Sequence, residues 1–115
     1  MEIFETGATR DSSDDKLDYE GFLSPAVLQR YAQYLHKHRT QADGKQRDSD
    51  NWQKGIPRQK YMKSMWRHFM DTWFYHRELV PSPDIRTGET STQEEALCAL
   101  IFNASGYLFE LLKGK

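Results

Sequence analysis

The sequence predicts an all-α fold, a small antiparallel bundle of three main helices behind an irregular N-terminal arm. Three observations predict it. Apolar residues recur at helical spacing in three separate stretches. Helix-start signals stand ahead of them. Segments rich in Gly, Pro, Ser, Thr and Asp separate them. At 115 residues the chain has room for one core and so reads as one domain, 1–115. A 37% hydrophobic and 13% aromatic content is enough to close that core.

Residues 1–23 carry no sustained period, and "ETGATRDSSDDKLDYEGF" is turn-rich, which predicts an irregular arm with a short strand over residues 2–5. The first helix starts cleanly, with Ser24 as N-cap and Pro25 in the first helical position, and should end near Arg39. Val27, Leu28, Tyr31, Tyr34 and Leu35 share its apolar face. Turn signals at Asp43-Gly44 and Gly55 mark a loop over 40–56.

The second helix is predicted over 57–77. Its stripe of Met62, Met65, Trp66, Phe69, Met70 and Trp73 should face a core, leaving Ser64, Arg67, His68, Asp71 and Tyr75 on the opposite, polar side. "LVPSPDIRTGETS" breaks that helix, and a third is predicted over 92–113. Leu97, Leu100, Ile101, Ala104, Leu108 and Leu111 form its main stripe, with Cys98, Phe102 and Phe109 on a flank. Opposite the main stripe runs a narrow line of Glu95, Ala99, Asn103, Gly106 and Glu110. The two long helices carry more apolar surface than the short one can cover, which predicts self-association.

Composition narrows the function classes. A net charge of −1 gives no electrostatic drive toward non-specific nucleic-acid binding, though Lys37, His38 and Arg39 are a candidate for a local basic patch. A single cysteine, Cys98, excludes an internal disulfide framework and suits a reducing compartment. No signal-peptide pattern opens the chain and no apolar run reads as a membrane span, so a soluble, cytoplasmic protein is expected.

Several side-chain groups could carry chemistry. His68 and Asp71 are three apart on one helix face, and Arg67 and Asp71 are four apart. A carboxylate beside an imidazole can bind a divalent metal or hold a base near neutral pH, but a solvated polar face has the same pattern. Glu94 and Glu95 head the last helix, where they could hold Mg²⁺ or close a capping box with Ser91 or Thr92. Asn103 sits in an apolar helix, as a hydrogen-bond link to a neighbouring helix or as a group that reads a base or phosphate. "TGATRD" brings Gly7, Arg10 and backbone amides that can cradle a phosphate. Trp52, alone among polar residues in "RDSDNWQKGIP", is either a core plug or a ligand platform.

The ordered set "TGATRD", "DNWQKGIP", "SMWRHFMD" and "ALCALIFNASGYL" resembles the small phage-associated dATP/dGTP diphosphohydrolase domain proteins, which are related to MazG-like nucleoside triphosphate pyrophosphohydrolases. The likeness rests on Gly7, Ala8, Arg10 and Asp11, on Asn51, Trp52, Lys54, Gly55, Ile56 and Pro57, on Arg67 and His68, and on Asn103. It implies a MazG-like helical bundle completed by oligomerisation as a homodimer or homotetramer, and a metal-dependent hydrolase, with Mg²⁺ or Mn²⁺, that splits deoxypurine triphosphates into monophosphate and pyrophosphate. On this resemblance Asp71, Glu95 and Glu94 would hold the metal and His68 would be base or ligand. Arg67, Lys54 and Arg10 would face phosphate, Trp52 would stack on the purine, and Asn51 or Asn103 would bond its edge. MazG-type enzymes carry Glu-x-x-Glu followed by Glu-x-x-Asp. Here no acidic residue lies between Ser24 and Arg39, and the pattern from Glu95 ends at Cys98. The alternative is a non-catalytic nucleotide-binding or sequestering protein of the same fold.

Overall fold

The computed structural model describes residues 1–12 and 14–115; Ser13, part of the predicted arm, lies outside them. The arm opens with a two-stranded antiparallel ribbon, β1 (Glu2–Ile3) against β2 (Thr9–Arg10), turned by Gly7 at φ 88°. One helical turn, α1 (Tyr19–Phe22), follows, capped by the Asp18 carboxylate accepting from the Gly21 N–H. The three main helices are α2 (Pro25–Lys37), α3 (Arg58–His76) and α4 (Gln93–Lys113). The prediction of a small, mostly helical domain with three main helices therefore stands, with boundaries shifted by one or two residues.

Local chemistry explains each boundary. Ser24 accepts from the Val27 N–H, with Pro25 as the first helical residue of α2. Asn51–Lys54 form a 3₁₀ turn that ends at Gly55, whose φ of 117° is disfavoured for any side chain with a Cβ. α3 stops in a Schellman turn, with the Leu79 N–H donating to the Phe74 carbonyl and the Glu78 N–H to that of Tyr75. Glu78 takes the left-handed position, φ 60°, where glycine is usual. Thr92 and Glu95 close a complete capping box on α4: the Thr92 hydroxyl accepts from the Glu95 N–H, and Glu95 accepts in return.

α3 and α4 form an antiparallel hairpin. Tyr61, near the start of α3, meets Gly106 and Phe102 in the second half of α4. Tyr75, near the end of α3, donates to the Ser91 carbonyl just before α4, at 2.5 Å. α2 lies against α4, joined by Arg30–Glu94 and Lys37–Glu95 ion pairs.

The sides on which the two long helices meet correct the sequence reading. The stripe on α3 does not face a core: Trp66, Phe69, Met70 and Trp73 are exposed. Ser64, His68, Asp71 and Tyr75, placed on the solvated side by periodicity, are instead half-buried, while Arg67 is exposed as expected. On α4 the narrow line is the buried one. Ala99 is 1% exposed, Asn103 and Gly106 are buried, and Glu95 and Glu110 are half-buried. Leu97, Ile101, Leu108 and Leu111, from the predicted core stripe, are exposed.

Size explains the inversion. Ala99 and Gly106 let the helix backbones approach, and the Tyr61 ring fills the space over Gly106. Cys98 is buried, as its flank position predicted.

Candidate functional site

Where the end of α2 meets the head of α4, polar side chains gather, with Lys37 and His38 exposed and Glu95 half-buried. His38, the C-cap of α2, lies with its Nε2 4.0 Å from the Glu95 Oε2 and its ring 4.4 Å from that of Tyr34. The Lys37 ammonium donates to the same Glu95 oxygen at 2.8 Å. On α3, His68 feels the charges of Asp71, Arg67 and His38. Its Nδ1 is buried with no hydrogen-bond partner among the described residues. Lys37, His38 and Glu95 thus build a polar neighbourhood between α2 and α4, and His68 stands on α3, the other helix packed on α4.

Burial sets its electrostatics. It pushes both His68 and His38 below the ordinary imidazole range, so both rings are neutral at neutral pH. Asp71 partly opposes this at His68, and the Lys37 charge adds to it at His38. The Lys37 hydrogen bond holds Glu95 below the usual carboxylate range, against the opposing effect of burial. Burial raises the Tyr34 hydroxyl to about 12, so it stays protonated and available as a donor. Lys37 is well exposed, so its pair with Glu95 contributes no more than about 1 kcal/mol.

The other sequence-predicted groups lie as follows. Glu94 is exposed and pairs with the Arg30 Nε at 2.6 Å. Asp71 is half-buried and one helical turn from His68. The buried Asn103 donates its amide to the Ala99 carbonyl at 2.7 Å, within its own helix rather than to a neighbouring one. Glu94 and Glu95 thus face different α2 cations. Among the described residues no three His, Cys, Asp or Glu side chains gather as a metal-binding group. The set Asp71, Glu94 and Glu95 does not form a ligand sphere within one chain, where Mg²⁺ wants several oxygens in octahedral array.

The loop group lies elsewhere. Trp52 is half-buried and meets Phe109 edge-on, with centroids 4.6 Å apart and planes at 75°. The Lys113 ammonium stands 5.4 Å from the centre of the same Phe109 ring. The indole therefore packs on the end of the hairpin, which is the plug placement. Asn51 is half-buried in the same turn, and Lys54 is exposed with its ammonium 4.0 Å from Asp48. From Glu95 to Phe109 α4 rises about 21 Å, so the loop group and the His68–Glu95 neighbourhood occupy opposite ends of the hairpin. Arg10 is exposed in β2, in the arm.

Sequence reasoning missed Tyr34, Lys37 and His38 as parts of this neighbourhood. The available signal was the i, i+4 spacing of Tyr34 and His38 at the end of α2. No family model, curated protein or solved structure matches the chain.

Acidification is expected to weaken the fold in two stages. His38 and His68 have folded values below the 6.5 of a free imidazole. Their contribution is complete above 6.5 and declines as pH falls toward the folded values, because the unfolded chain takes up protons first. Glu95 has the same sign: its contribution is full above 4.5 and is lost as pH falls through its depressed folded value. Urea midpoints measured across the acid range read both stages. Glu95→Gln should keep the first and flatten the second; an equally steep loss in that variant would remove Glu95 from the account.

Proposed function

We propose that the protein binds a deoxypurine nucleoside triphosphate beside the α2–α3–α4 polar neighbourhood and hydrolyses its α–β anhydride, giving monophosphate and pyrophosphate. The observation that carries this is His68, a half-buried ring with an unpartnered Nδ1 on which Asp71 and His38 act electrostatically. A neutral imidazole is suited to accept a proton at neutral pH.

In the proposed step, water forms a bond to the α-phosphorus as its proton passes to the other imidazole nitrogen of His68, Nε2. The P–O bond to the β-phosphate then breaks and pyrophosphate leaves with the electron pair. Exposed Arg67, adjacent to His68, offsets charge on the phosphoryl oxygens. Asp71 stabilises the imidazolium once it forms. Trp52 and Lys54 are too far along the hairpin to share this site within one chain, so their stacking and phosphate roles stand outside it.

One observation favours a second reading. Glu94 and Glu95 are both engaged by α2 cations, as they would be in a protein that binds a nucleotide without cleaving it. Pyrophosphate release from each dNTP and NTP, with Mg²⁺ or Mn²⁺, separates the two. Turnover confined to purine deoxynucleotides is the expected result. Tight binding that survives EDTA, with no product, would replace hydrolysis by sequestration. No rise in melting temperature across the panel would remove the nucleotide altogether.

A further inference from the structure

Between α2 and the 3₁₀ turn the chain folds back on itself in a second small ribbon, whose side chains the proposed reaction leaves unused. The Arg47 N–H donates to the Arg39 carbonyl at 2.8 Å, and the Arg39 Nε donates to the Arg47 carbonyl at the same distance, 2.8 Å. Thr40 and Gln46 form an antiparallel bridge next to that pair, and the Gln41 N–H donates to the Lys45 carbonyl. Gly44, at φ 83°, turns the tip, where the Asp43 carboxylate accepts from the Lys45 N–H. This register sets Arg39 directly opposite Arg47.

The ribbon is cationic in a chain that is not. Residues 37–47 carry Lys37, Arg39, Lys45 and Arg47 against Asp43 alone, while the whole chain has a net charge of −1. Among the described residues no carboxylate forms an ion pair with Arg39, Lys45 or Arg47; Asp48, the next acid along, lies 4.0 Å from Lys54 instead. Like charges held directly opposite on a ribbon repel, and an anion between them relieves that cost. The ribbon also acts on the proposed site. His38 feels the charges of Lys37 and Arg47, and His68 feels that of His38. Glu95 and Glu89 oppose them at His38, but Glu95 is held by Lys37 and by the cap of α4. With Lys37 so engaged, the two arginines are the cations open to a ligand.

We propose that the ribbon is a pyrophosphate clamp, in which Arg39 and Arg47 take the β- and γ-phosphates of the triphosphate whose α-phosphate lies at His68. The identity of that ligand rests on the hydrolytic reading above; the clamp itself rests on the ribbon. A triphosphate brings more negative charge than Arg67 alone offsets. As the bond to the β-phosphate breaks, the growing charge falls on the departing pyrophosphate, at the end the clamp holds. Guanidinium groups suit that end, because each presents parallel N–H donors to phosphate oxygens. Arg39 has its Nε committed to the Arg47 carbonyl and offers its Nη atoms, while the exposed Arg47 offers all its donors. A nucleic-acid strand fits less well. No Phe, Tyr or Trp lies between residues 37 and 47 to stack a base.

Calorimetric titration of the full chain with sodium pyrophosphate, in EDTA and at low and high salt, tests the clamp apart from the reaction. Expected is binding that Arg47→Gln weakens by about tenfold or more. Salt should weaken it too, and Arg47→Lys should restore it only in part. The exposed Arg47 side chain has no partner in the fold among the described residues, so the variant should keep its melting temperature. Lys60→Gln, at an exposed cation on α3, should leave binding unchanged. Arg47→Gln should weaken deoxynucleoside triphosphates and spare monophosphates, because the clamp meets only the outer phosphates. Equal loss for both classes overturns that assignment. Absence of pyrophosphate binding by the wild-type chain, or binding that ignores Arg47→Gln, overturns the clamp whatever the turnover. Pyrophosphate held through Arg47 by a chain that cleaves no dNTP keeps the clamp and removes hydrolysis. A single-stranded oligonucleotide bound through the same arginines more tightly than pyrophosphate would assign the ribbon to nucleic acid instead.

Discussion

Replacing His68 by alanine is expected to lower pyrophosphate release by about a hundred- to ten-thousandfold, the usual contribution of a positioned general base. The fold should survive, because His68 is half-buried and its Nδ1 makes no hydrogen bond that the variant would lose. The pH profile gives a readout that loss of packing would not. Burial places the His68 value below 6.5, so the wild-type rate should be flat at neutral pH and fall only on the acid side. Asp71 raises the His68 value from its place one turn along α3. Asp71→Asn should therefore shift the acid limb to still lower pH. An unchanged limb in Asp71→Asn, together with full activity in His68→Ala, would end the case for His68 as base.

Gly106→Ala is expected to destabilise the hairpin, against the direction that helix propensity alone gives. In an open helix this change is favourable by up to about 1 kcal/mol. Here a Cβ at position 106 would run into the ring and hydroxyl of Tyr61, which is buried to 2% exposure. Overpacking of this kind costs about 1–3 kcal/mol, so the melting temperature should fall by several degrees at about 4–8 °C per kcal/mol. In a Tyr61→Ala background the penalty should vanish, because the obstructing ring is gone; the double-mutant cycle reads that coupling directly. Tyr61→Phe should be neutral or stabilising. The Tyr61 hydroxyl is buried without a partner, and removing it removes an unmet desolvation cost. If Gly106→Ala raises stability, the close packing of Tyr61 on that glycine is wrong.

Much of the local structure was legible beforehand because its causes are local. Ser24-Pro25 starts a helix wherever it occurs ahead of an apolar period, and Thr92 with Glu95 caps one. Grouping by face was also legible. Glu95, Ala99, Asn103, Gly106 and Glu110 do form one line, as 3.6-residue periodicity requires. The candidate site was legible in pieces: His68, Asp71 and Glu95 stood out by type and spacing, while Tyr34 read as apolar face and Lys37 and His38 as a basic patch, not as partners of Glu95. Those three matter only because α2 brings its end against the head of α4, a contact between residues 58 apart in the case of Lys37 and Glu95.

By itself the sequence determined the number of main helices, where they begin, which residues share a side, and that more apolar surface exists than one short helix can cover. Only the tertiary structure decided which sides meet. Periodicity weighs polarity but not shape, and the hairpin closed on shape: Ala99 and Gly106 leave room for the Tyr61 ring. That choice encloses His68, Glu95 and Asn103 to differing degrees and turns Trp66 and Leu108 outward. It also separates Trp52 from His68. The loop tryptophan packs on Phe109 at the far end of α4 because the 3₁₀ turn before α3 delivers it there, a consequence of the path of the chain that no neighbouring residue encodes.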